Sequence, residues 1–89
     1  MNFLKTEVNT GPGDVVEVTL QGHAANVMLM DSSNFQHYQA GRQFTYHGGH
    51  FTRSPAILRP PHPGHWYVVV DLGGGAGRVS ASVRVVRGG

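Results

Sequence analysis

The chain has 89 residues, no cysteine, seven Lys and Arg against five Asp and Glu, and six histidines. Its length fits one small domain, which buries roughly 60–65% of its unfolded surface and disfavours a deep enzymatic pocket. Without cysteine there is no disulfide framework, thiolate metal site or cysteine nucleophile, and the composition suits a reducing cytoplasm.

In chain order the pattern is β with one helical break. Asn2–Val8 forms a first strand, followed by a turn at Gly11-Pro12-Gly13. From Asp14 to Leu20, Val16, Val18 and Leu20 alternate with Glu17 and Thr19, the period-2 signature of a half-buried strand. Asn26–Met30 is a short apolar run suited to an inner strand. Asp31-Ser32-Ser33-Asn34 offers capping oxygens, Phe35 and Tyr38 follow at helical spacing, and Gly41 is a natural stop. A short helix over residues 32–40 is predicted.

Gly48-Gly49 then separates Arg42–His47 from His50–Ser54. A two-residue Gly-Gly loop suits a hairpin, and in that register His47 faces His50 on a polar face while Phe44, Tyr46 and Phe51 share the other. Ala56-Ile57-Leu58 extends the second arm or begins another strand, and Pro60–Gly64 is a rigid connection. Trp66–Leu72 is the most apolar run in the chain and predicts a central strand covered on both sides. After the glycine run Gly73–Gly77, Val79, Ala81, Val83 and Val85 alternate with Arg78, Ser80, Ser82 and Arg84, giving a final strand with a basic outer face. The expected fold is all-β: one domain over residues 1–89, a compact antiparallel β-sandwich or barrel of six to eight short strands plus the helix.

The chemistry-bearing motifs are sparse. The glycine run leads into a strand rather than a helix and reads as a hairpin loop, not a phosphate cradle. Two His-x-x-His pairs, His47/His50 and His62/His65, invite a metal reading. Zinc needs more ligands than a facing pair supplies, and the prolines beside His62 preclude a helical pairing with His65. No metal or cofactor is therefore expected, and no aspartate, glutamate or serine stands at a spacing that marks catalysis. Gly64-His65-Trp66 is the best recognition element. Its tryptophan either plugs the core or forms an aromatic platform for a sugar or peptide, with His65 and Arg53 as polar neighbours.

These residues together resemble a small bacterial family known as domain of unknown function family 1883. The resemblance is carried by Asn2-Phe3-Leu4, Gly13–Val18, Ala25-Asn26-Val27, Met30-Asp31, Asn34-Phe35, Gly41-Arg42, Gly48-Gly49-His50, Arg53-Ser54-Pro55, Gly64-His65-Trp66, Asp71–Gly74 and Ala81-Ser82-Val83. It implies a mostly β domain found alone or beside other modules, including TIR-type signalling domains, and it carries no catalytic residues over. His50 and His65 fall in the matching segments, while His47 and His62 depart from them.

The resulting expectation is a non-enzymatic module that binds a protein or small-molecule ligand in bacterial signalling or defence. Its candidate ligand-binding residues are His50, Arg53, His65 and Trp66. A histidine-based metal-binding protein is one alternative. A weak anion or nucleic-acid binder using Arg78 and Arg84 is another, disfavoured by scattered basic residues. The opening residues lack the basic and apolar runs of a signal peptide, and no stretch approaches the ~20 apolar residues of a membrane span, so a cytoplasmic domain is expected.

Overall fold

Strand alternation sorts the apolar side chains of this chain onto two sheets that share one core. The computed structural model describes residues 3–22, 24–72 and 77–88. Seven strands and one helix follow in the order β1 (Phe3–Thr10), β2 (Val15–Gly22), β3 (Ala25–Met30), α1 (Ser32–Gln39), β4 (His47–Phe51), β5 (Ala56–Leu58), β6 (Gly64–Asp71) and β7 (Val79–Val86). A four-stranded sheet has the order β1-β6-β3-β4, and a three-stranded sheet has the order β5-β2-β7. Every pairing is antiparallel. The result is a compact β-sandwich with a helix on the outside of its larger sheet.

The expected alternation in β2 is realised: Val16 and Val18 are fully buried between the sheets. The central-strand reading of the Trp66 run also holds, since β6 lies between β1 and β3. Its Trp66, Val68 and Val70 join the inter-sheet core, whereas Val69 belongs to a second cluster with Met28, Met30, Phe35 and Tyr38 beneath α1. Each fully buried aliphatic side chain of this kind contributes about 1.5–3 kcal/mol.

Asp31 starts α1 as foreseen, its Oδ1 accepting from the Asn34 backbone N–H at 2.8 Å. Gly41 follows with φ +73°, a conformation that side chains disfavour. Asn34 Oδ1 then accepts from Thr45 N–H at 2.8 Å and leads the chain back along the sheet.

The Gly-Gly hairpin is not formed. Gly48 and Gly49 lie inside β4, which runs as one strand from His47 to Phe51 along β3, with Val27 opposite Gly49 and Met28 opposite Gly48. Residues 42–46 are not a strand, and Phe44 instead packs edge-on against Tyr38. The glycine serves close approach rather than a turn. Gly48 has φ +135°, and a Cβ there would meet the Val27 carbonyl oxygen. The turn at Gly11-Pro12-Gly13 does form, closed by Asp14 N–H to Gly11 O at 3.2 Å, but it carries the chain from one sheet to the other. The link between β6 and β7 likewise joins different sheets and is no hairpin; Gly73–Ala76 of the glycine run lie outside the described residues.

Candidate recognition face

The members of each His-x-x-His pair have different neighbours. In β4, His47 stands opposite Leu29 of the inter-sheet core, and His50 stands opposite Asn26 on the helix side. The predicted facing pair therefore points to opposite sides of the sheet. His47 and His62 instead flank Trp66, with ring centroids 5.9 and 4.9 Å from the indole. Trp66 is 3% exposed and donates Nε1–H to the His62 carbonyl oxygen at 3.2 Å, so it plugs the core and offers no platform.

The other two histidines lie on the helix side, each beside an asparagine. His65 Nδ1 is 3.0 Å from Asn9 Oδ1, and its Nε2 is 2.9 Å from Glu7 Oε1. This cluster belongs to the register of β1 on β6, which sets Asn9 opposite His65 and Glu7 opposite Tyr67. Lys5 Nζ lies 3.5 Å from Glu7 Oε2 and sits over the stacked rings of Phe35 and Tyr67, whose centroids are 4.5 Å apart. The hydrogen bond to His65 is the main reason that the Glu7 carboxyl is held below its ordinary pKa, with burial opposing and Lys5 assisting. Yet the side chains of His65, Glu7 and Lys5 all remain near 40–45% exposed.

At the other end of this face His50 Nδ1 is 3.3 Å from Asn26 Oδ1. Asn26 donates Nδ2–H to Asp71 Oδ1 at 2.9 Å, and Tyr38 donates its hydroxyl hydrogen to Asp71 Oδ2 at 2.6 Å. Burial, joined by the facing Asp71 carboxylate, pushes the Tyr38 phenol well above its usual range.

Of the four candidate residues, only His65 and Trp66 are neighbours. They point to opposite sides of β6, and His50 sits at the Asp71 end of the sheet, ~20 Å along the strand from His65. Arg53 is exposed in the turn after β4, beside Ser54, whose Oγ accepts from Leu20 N–H at 2.8 Å. The four candidate ligand-binding residues therefore do not form one surface. Lys5, Glu7, Asn9 and Tyr67 were missed as site residues. The first strand was expected, but the register that brings Glu7 to a residue 58 positions away was not legible.

Two further polar groups are engaged in the sheet framework. Asp14 accepts from Gly11 N–H at 2.8 Å, Gly88 N–H at 2.9 Å and Arg87 Nη1 at 2.6 Å. These bonds, the two from backbone first, hold its carboxyl at about 2. Arg84 donates Nε–H to Glu17 Oε1 at 2.8 Å, so this half of the proposed anion pair is engaged within its own sheet. Among the described residues no three of His, Asp or Glu are grouped to hold a metal ion, and no helix is long and apolar enough to cross a membrane.

The model of one protein family, DUF1883, matches residues 1–89. The chain belongs to the DUF1883 family. That family is a domain of unknown function, so its match assigns no activity to the His65 face. No curated protein and no solved structure gives a significant match. For this DUF1883 domain, the route to function runs through its own surface chemistry.

Proposed function

We propose that this domain is a non-catalytic recognition module that binds a protein or small-molecule ligand in bacterial cytoplasmic signalling or defence, with TIR-type signalling domains as the first partner class. The binding face is the open end of the helix side of the larger sheet: Lys5, Glu7, Asn9, His65 and Tyr67.

The observation that carries this reading is the state of His65, an exposed imidazole held at both ring nitrogens on a rigid central strand. Exposed side chains ordinarily lose rotamer freedom on binding, at about 0.5–1.5 kcal/mol each. Here that ordering is already made in the unbound domain. Among the described residues no buried side-chain polar atom lacks a partner, which leaves the organised chemistry on the open face.

The test is titration of the ¹⁵N-labelled domain with a purified bacterial TIR domain encoded beside or fused to a DUF1883 domain. Saturable shifts centred on Lys5, Glu7, Asn9 and His65, abolished by His65→Ala, are expected. Binding mapped elsewhere, or left intact by that substitution, overturns the proposed face.

A further inference from the structure

At one end of the sandwich two connections cross between the sheets side by side. The turn from β1 to β2 and the connection from β5 to β6 are fastened on both flanks, by Thr10 opposite Gly64 in the larger sheet and by Val16 opposite Leu58 in the smaller. A cavity of about 250 Å³ lies between them, lined by Gly11, Gly13, Asp14 and Val15 on one side and by residues 59–63 on the other.

Both walls are already set in the unbound domain. The turn is closed by Asp14 N–H to Gly11 O at 3.2 Å and by Gly11 N–H to Asp14 Oδ2 at 2.8 Å. The facing wall carries Pro60, Pro61 and Pro63, whose rings fix φ and bring apolar surface without backbone donors. His62 is anchored among them at both backbone and ring. Its carbonyl oxygen accepts from Trp66 Nε1–H at 3.2 Å, and its Nδ1 lies 2.9 Å from the Pro63 carbonyl oxygen. A carbonyl only accepts, so Nδ1 carries a proton, and Nε2 has no partner among the described residues.

The charges of this pocket leave one cation over. Asp14 is already matched by Arg87 Nη1 at 2.6 Å, together with the backbone N–H groups of Gly11 and Gly88. Arg59 is exposed and has neither a hydrogen bond nor an ion pair among the described residues. Its planar fork of donors matches carboxylate and phosphate oxygens.

We propose that this pocket binds a small organic anion, its carboxylate or phosphate head group seated on the Arg59 guanidinium and its apolar body against the proline wall. His62 Nε2 supplies the second polar contact. At about 250 Å³ the pocket falls just below the size of drug-sized ligand sites, roughly 300–1,000 Å³, which suits a metabolite of one ring. The pocket shares no residue with the His65 face, so either site can fail without the other.

The probes are benzoate, phenyl phosphate, inorganic phosphate and the neutral benzamide, each titrated at constant ionic strength into the ¹⁵N-labelled domain. Saturable shifts at Gly11, Gly13, Val15 and the His62 ring are expected from benzoate or phenyl phosphate, and the tighter of the two identifies the head group. Benzamide is expected to bind at least about tenfold more weakly. Arg59→Gln is expected to weaken the anion about tenfold while the melting temperature is unchanged, because this side chain is exposed and unpaired. The proposal is overturned by no saturable binding below about 10 mM, by equal binding of benzamide, by shifts away from the pocket, or by full binding in Arg59→Gln. Binding of inorganic phosphate without either organic anion overturns it in favour of an adventitious ion only.

Discussion

Tyr38 donates its hydroxyl hydrogen to Asp71 across 2.6 Å, and this bond ties α1 to the central strand of the larger sheet. A hydrogen bond to a carboxylate in a buried setting is worth about 1.5–3 kcal/mol. Tyr38→Phe is expected to lower unfolding stability by that order in urea titrations while the far-ultraviolet circular dichroism of the sheets is retained.

The same phenol gives an alkaline signature. Its folded-state pKa lies above the unfolded value near 10. Its contribution is therefore complete below pH 10 and is lost as pH rises beyond it. Stability measured by denaturant titration is expected to fall above about pH 10 in the natural protein, and less steeply in Tyr38→Phe.

Asp14 gives the acid counterpart. Its carboxyl titrates at about 2 in the folded protein, against an ordinary 3.8. The stabilisation is full above the unfolded value and disappears as pH falls through the folded one. Asp14→Asn is expected to flatten the loss of stability between about pH 4 and pH 2, read as melting temperature against pH.

Gly48 and Gly49 separate two uses of glycine. Gly48→Ala sets a Cβ against the Val27 carbonyl at φ +135° and is expected to cost on the order of 3 kcal/mol. Gly49→Ala enters open space and is expected to change stability by no more than about 1 kcal/mol. A two-residue turn would penalise both, so equal losses in chemical denaturation would refute the strand assignment.

His65 and Trp66 are adjacent in sequence and opposed in role. Trp66→Ala is expected to cost about 3–5 kcal/mol because it empties a core position. His65→Ala is expected to stay within about 0.5 kcal/mol, as exposed positions do. Thermal and urea unfolding of the two variants measures the contrast.

What could be read in advance followed from periodicity. Val16/Val18, the two-sided apolar run of β6 and the Asp31 cap each depend on neighbours close in sequence. Gly48-Gly49 misled because a turn and a close strand approach both require glycine, and only the identity of the partner strand separates them. The site was less legible for the same reason. Glu7 and Asn9 meet His65, and Asn26 meets Asp71, through long-range register, which no local spacing encodes.

The chain from Tyr38 to His50 has a directional consequence. A carboxylate can only accept, so Asp71 obliges the Asn26 amide to turn its NH₂ inward and its oxygen toward His50. That oxygen accepts a proton-bearing Nδ1, which leaves the neutral ring with its lone pair on Nε2. A buried acid two residues removed thus fixes the tautomer of a surface imidazole. ¹⁵N chemical shifts of His50 should report that single form, and Asn26→Ala should let both tautomers appear.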